Sequence, residues 1–212
     1  MYWEQRLDKC RKSLEENNFK SYLANNCKDA KRIVIEDILP EIEVKTVSWG
    51  DSLTFYATGI LDEMRRNPDI SVLETFAENV PREEIIERRR QALLSDLFFT
   101  GSNAVTETGK LVNLDMVGNR TGAITFGPLN VVIFAGRNKI VPDVDAAMRR
   151  VKSYAAPVNA IRHSNLKTPC MKTSRCTDCK SPDRICNSWT ITEKSYPKGR
   201  IRVVLINEDL GL

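Results

Sequence analysis

The stretch richest in chemistry is Pro169 to Asn187, PCMKTSRCTDCKSPDRICN, which carries four of the chain's six cysteines. Cys170, Cys176, Cys179 and Cys186 follow the spacing C-x5-C-x2-C-x6-C. The central pair can chelate from one tight turn while the outer two close the shell. A set of four thiols suits zinc or an iron-sulfur cluster and disfavours hard cations, which require oxygen ligands. Disulfides or free thiols are the plain alternative. The even C-x2-C pairs of zinc ribbons are missing, and Pro169 and Pro182 flank the ligands. These features favour a four-iron, four-sulfur (4Fe-4S) cluster, with structural zinc as the alternative cofactor. Either metal would pin residues 162 to 196, which have little apolar content of their own to fold with. His163, the single histidine, lies next to the cysteines and reads as an extra ligand, as a surface group or as a hydrogen-bond partner of a ligand.

A second set of polar residues follows the ends of apolar runs. In SWGDSLT, Ser48 to Thr54, a strand passes through Gly50 into a helix whose start offers Asp51, Ser52 or Thr54 as a cap, leaving N–H groups free for an anion. Ordinary helix capping explains the same residues. In FFTGSNAVTETGKLV, Phe98 to Val112, a strand ends at Thr100 and Gly101 and a small-residue loop leads to Thr106, Glu107, Thr108 and Gly109. A glutamate among hydroxyl residues and glycine can serve as nucleophile, base or hydrogen-bond acceptor, or can be the solvated acid of a β-turn. Asn119 and Arg120 follow Gly118. The planar fork of Arg120 fits a carboxylate or phosphate, or pairs with Glu107 or another acid of the chain.

These residues need elements to position them. Leu7, Cys10 and Leu14 recur at helical spacing between Glu4 and Glu16, and Cys27, Ala30, Val34 and Ile38 repeat it up to Pro40, so both isolated cysteines read as small buried hydrophobes. Strands are expected at 20–23, 44–48, 70–74, 97–100, 131–135 and 201–206, with helices at 54–66, 82–95 and 144–154. Strand and helix in alternation predict a three-layer α/β/α domain around a mostly parallel sheet, with ligands bound beyond the strands' carboxyl ends. IRVVLI, Ile201 to Ile206, is apolar on both faces apart from Arg202, so it should return to that sheet. The expected organisation is therefore an α/β domain over 1–161 and 200–212, interrupted by a cysteine-rich metal or iron-sulfur segment over 162–199.

The 212 residues, 42% hydrophobic, suffice for one well-filled core. No apolar run is long enough to span a bilayer and the charged N-terminus lacks a signal-peptide pattern, so a cytoplasmic protein without membrane insertion is expected. In that compartment clustered thiols serve metals or redox chemistry more often than disulfides. The net charge of +4 is concentrated around the cysteines: Arg162 to Arg200 holds nine Lys or Arg against three Asp or Glu, so the remainder is acidic on balance. Cations there offset the formal negative charge of a thiolate-bound centre. Only Trp189 and Tyr196 accompany them, too few aromatics for a nucleic-acid surface.

The order TGSNAVTETGKLV, then GNRTGAITFGPLNVVIFAGRNKIVPDVDAAM, resembles the LUD family of lactate-utilisation domain proteins, which carry a similar A-E-T-G segment, a Gly-Asn-Arg turn, a proline and a strand ending near KIVP. The resemblance covers about residues 1 to 160 and is densest from Gly101 to Pro142. Thr106 stands where alanine is common, and the cysteine segment belongs to only some members. The resemblance implies the fold of the sugar-phosphate isomerase and coenzyme A transferase superfamily (NagB/RpiA/CoA-transferase-like), and work among redox proteins. In that superfamily's transferases a glutamate in a short S-E-N-G motif is the covalent nucleophile. Thr106, Glu107, Thr108 and Gly109 are similar over four residues, with threonine in place of asparagine.

Three functions are compatible with this reading. The first is a redox-associated LUD protein that binds a small anionic metabolite at Gly50, Asp51, Ser52, Gly101, Thr108, Gly109, Asn119 and Arg120 and passes electrons through a cluster to a redox partner protein. The second is an acyl or coenzyme A transferase using Glu107, with structural zinc. The third is a module that senses a metabolite or the redox state. A homo-oligomer stays open in all three.

Overall fold

A computed structural model describes residues 1–163 and 165–212. In chain order the elements are α1 (Tyr2–Glu16), β1 (Lys20–Ala24), α2 (Cys27–Arg32), β2 (Thr46–Trp49), α3 (Leu53–Ala57), α4 (Ile60–Arg66), β3 (Ser71–Val72), α5 (Arg82–Gln91), β4 (Leu97–Gly101), β5 (Ala104–Thr106), β6 (Leu111–Asp115), α6 (Asn119–Thr125), β7 (Asn130–Gly136), β8 (Ile140–Val141), α7 (Val144–Arg150), α8 (Ala156–Ile161), α9 (Cys170–Thr173), β9 (Ser188–Thr192) and β10 (Ile201–Ile206). The central sheet runs β1-β10-β7-β4-β2-β3, parallel throughout. Its inner strands are buried on both faces, which is why LFFTG and IRVVLI read as uninterrupted apolar runs.

Alternate residues on these strands feed two cores. Phe98, Ile133 and Val203 pack against Leu7, Cys10 and Leu14 of α1, while Phe99, Phe134 and Val204 face Phe55, Ile60 and Met64 from α3 and α4. Phe55 stacks on Phe99 and Phe134 at centroid distances of 5.4 and 5.9 Å. The three-layer expectation holds, and β10 lies between β1 and β7.

Several local readings change. The span 54–66 is two helices, broken at Gly59, whose φ is +66°. Residues 98–112 are more than a loop: β5 and β6 form a hairpin within a second sheet ordered β8-β5-β6-β9. Its fourth strand, Ser188–Thr192, comes from the cysteine-rich segment, so that segment is tied to the body on its C-terminal side by a strand pairing. Cys10 is fully buried, as its helical spacing requires, but Cys27 is only half-buried because it opens α2 at the surface. Among the described residues no helix is long and apolar enough to cross a membrane.

Candidate functional site

The carboxyl ends of β2, β4 and β7 open into a cleft of about 600 Å3. Asp51 and Ser52 enter it after β2, Gly101 at the end of β4, Asn119 and Arg120 from the start of α6, and Lys139 after β7. Leu166, Pro182, Asp183 and Ile185 of the cysteine-rich segment line it from another side.

Close packing among small residues sets the wall. Ser52 caps α3, its hydroxyl accepting from the Phe55 N–H at 3.2 Å. A Cβ at Gly101 would fall 2.3 Å from that hydroxyl, and one at Gly50 would fall 3.0 Å from Cγ of Arg120. Gly50 is therefore needed for space, where unusual backbone angles were the expected reason. It brings Arg120 against the end of β2.

Arg120 is buried and all five of its N–H groups have acceptors within the chain. Nε donates to Asp115 at 3.2 Å, Nη1 to the Gly101 carbonyl and Asn113, and Nη2 to Asn103 and the Leu114 carbonyl, at 2.8 to 3.1 Å. Asp115 in turn accepts from the backbone N–H groups of Arg120 and Thr121 at the start of α6. The arginine ties β4, β6 and α6 together at the cleft, and its partner acid is Asp115 and not Glu107. Sequence alone left that choice open.

Three other cleft groups are less committed. Asp51 makes no ion pair among the described residues and neighbours the Tyr56 hydroxyl, whose pKa burial pushes up to about 12. Arg89 lies with its guanidinium 4.7 Å from the Phe76 ring centroid, and its buried Nε has no hydrogen-bond partner among the described residues. Lys139 is 5% exposed and forms no ion pair or side-chain hydrogen bond among the described residues, and desolvation, with Arg150 and Arg120 nearby, pushes its pKa down to about 7. Neither Arg89 nor Lys139 was singled out from sequence. The only signal was position, Lys139 falling just past a buried strand's carboxyl end.

The structure does not bring Glu107, Thr108 and Gly109 to this cleft. The β5–β6 turn carries them onto α1, where Arg6 holds the Glu107 carboxylate at 2.6 and 2.9 Å and Lys9 at 3.3 Å. The hydrogen bond from Arg6, aided by Lys9, keeps that carboxyl below its ordinary range. Gly109 has φ of +75°, and a Cβ there would fall 2.4 Å from the Ser13 carbonyl. Asn17 donates to the carbonyls of Thr108 and Gly109. The Thr-Glu-Thr-Gly motif is thus the seat of α1, and the carboxylate proposed as a nucleophile is neutralised outside the cleft.

Cys170, Cys176, Cys179 and Cys186, all half-buried, line one small cavity of about 20 Å3. Arg184 laces its walls, donating to the carbonyls of Cys186 and Cys179 and to the Asp178 carboxylate, which also pairs with Lys152. The Asp178 N–H lies 3.4 Å from Cys176 Sγ, and the Thr168 hydroxyl 3.2 Å from Cys170 Sγ. Among the described residues no three acids, histidines or cysteines are gathered closely enough to hold a metal ion as they stand. The donor chemistry fits a soft metal, and the thiols converge without forming a closed shell. Ile185 lines both this cavity and the cleft, so the two share a wall.

A six-stranded parallel sheet with helices on both faces and a cleft at its carboxyl edge defines a three-layer α/β domain. A model of the LUD domain matches residues 7–206, and the chain belongs to that family, which is linked to lactate utilisation. Among solved structures, the crystal structure of a DUF162 family protein from Deinococcus radiodurans superposes with a TM-score of 0.55 at 12% identity, covering 96% of this chain and 98% of that one. At that identity the likeness concerns the fold. No curated protein matches the chain.

Proposed function

We propose that this LUD protein binds a small anionic metabolite in the cleft and holds an iron-sulfur cluster on Cys170, Cys176, Cys179 and Cys186, as a subunit or accessory of an organic-acid redox system. One observation carries this reading: four thiols line a single cavity that shares the wall residue Ile185 with a polar cleft. A centre held there would lie close enough to the cleft for a bound anion to alter its electrostatics. The N–H and hydroxyl contacts to Cys176 and Cys170 are of the kind that tune a cluster, and Arg184 and Lys152 add positive charge beside thiolates. When bound, such a cluster supplies one-electron transfer. The chain's own residues bind and orient: Arg120 fixes the cleft wall, while Asp51, Arg89 and Lys139 face the ligand.

The cavity's size favours a second reading, structural zinc. About 20 Å3 admits one water-sized body, so a single ion needs less rearrangement than a cubane of iron and sulfide. Anaerobically purified protein titrated with lactate, pyruvate and oxalate tests the choice. The first reading predicts a broad visible absorption that these carboxylates perturb. Colourless protein with stoichiometric zinc would support the second, and protein without metal would overturn both.

A further inference from the structure

Among the described residues Lys139 is the one lysine buried against the cleft, and no acid side chain pairs with it there. Arg150 approaches from α7 and spends its guanidinium on the carbonyls of Asn138 and Asn103 and on a backbone oxygen of Leu212, the last residue of the sequence, which also lines the cleft. Arg120 approaches from α6 and is paired with Asp115. On the C-terminal segment, Gly211 at φ +65° runs so close that a Cβ would fall 3.2 Å from the Lys139 amine and 2.6 Å from the Thr54 hydroxyl. The acid side chains of that segment point elsewhere, Glu208 to the Cys27 N–H and Asp209 to Arg137. Asp51, just before α3, lines the same cleft, as do Asp115, already paired with Arg120, and Asp183. A buried ammonium without a counter-ion is costly unless something supplies one. Here the lysine faces a cleft from which an anion can do so.

We infer that Lys139 is the charge partner of the cleft's ligand: a small carboxylate seats its anionic group against the Lys139 amine, and Asp51 accepts a hydrogen bond from a hydroxyl on the same molecule. This rests on the reading of the cleft as an anion site and adds the residue and ligand class. The chemistry is non-covalent, and the proton that charges the amine comes from solvent. The lysine's pKa of about 7 in the free protein rises when the anion arrives, so binding takes up protons. Affinity is then greatest below pH 7 and falls about 100-fold by pH 9, where the free amine is about 1% protonated.

The test is calorimetry and thermal melting of the wild type, Lys139→Met and Lys139→Gln with lactate, pyruvate, oxalate and inorganic phosphate, using lactamide as the uncharged control. Melting of the ligand-free variants at pH 6, where each lacks a buried charge, should equal or exceed the wild type and shows that they fold. The inference predicts that a carboxylate binds the wild type at pH 6, that lactamide does not, and that affinity falls at least about thirtyfold in both variants and as pH rises to 9. Carboxylate binding unchanged in both variants would remove Lys139 and leave the cleft reading standing. Preference for phosphate over every carboxylate would overturn the ligand class. No binding of any anion to the wild type would overturn this inference and the anion-site reading together.

Discussion

Replacing Arg120 with methionine should destabilise the fold more than it weakens any ligand contact. The substitution keeps most of the apolar stem but removes five hydrogen bonds and the partner of Asp115, at side-chain exposures of 10% and 13%. Breaking a buried ion pair from one side costs on the order of 3–5 kcal/mol, because the remaining charge and acceptors lose their donors. For a chain of this size each kcal/mol lowers Tm by about 2–4 °C, so a fall of about 6–20 °C is expected. Some of the Asp115 charge stays compensated by the N–H groups of Arg120 and Thr121, which places the result toward the lower half. Arg120→Lys can recover the ion pair but not the fork, and should regain only part of the loss. The assay is thermal and urea unfolding of both variants and of Asp115→Asn, combined in a double-mutant cycle. A Tm within about 2 °C of wild type for Arg120→Met, with anion binding abolished, would show that the arginine's donors serve the ligand instead of the wall.

Glu107→Gln should cost about 1 kcal/mol or less and leave anion binding intact, since Lys9 is exposed and the Arg6 contact is partly so. Because Arg6 lowers the carboxyl's pKa in the folded state, the pair's contribution is present at neutral pH and lost as pH falls below about 4.5, which acid titrations of stability for wild type and variant would show as converging curves. Gly109→Ala should destabilise by several kcal/mol, as the methyl meets the Ser13 backbone at positive φ, whereas Gly118→Ala, with its nearest neighbour 3.9 Å away, should cost about 1 kcal/mol in the same urea assay. Burial pushes the thiols of Cys10 and Cys27 up to about 12 and about 11, so in metal-free protein alkylation should reach Cys170, Cys176, Cys179 and Cys186 well before Cys10. Equal rates across all six would contradict the burial described.

What the sequence made legible follows from how much of each element's partner set is local. The inner strands announced themselves because both of their faces are buried, and the cleft residues Asp51, Ser52, Gly101, Asn119 and Arg120 followed from the rule that sites lie past strand ends. The second sheet was hidden because its strands have two to five residues and its outer member is the polar run SWTIT. Glu107 looked like a site because its motif is local, while the Arg6 that neutralises it lies 101 residues away. Lys139 was invisible for the opposite reason: its meaning lies in having no acid side chain paired with it among the described residues, which only the packing of α6, α7 and the C-terminal segment reveals.

Iron, acid-labile sulfide and zinc contents of anaerobically purified wild type and of the six single cysteine-to-serine variants address the central claim most directly. The account predicts about four irons and four sulfides per chain. It also predicts loss of the metal on replacing any of Cys170, Cys176, Cys179 or Cys186, and full retention in the Cys10 and Cys27 variants. Wild type carrying zinc in place of iron, wild type without metal, or dependence of the metal on Cys10 or Cys27, would contradict it.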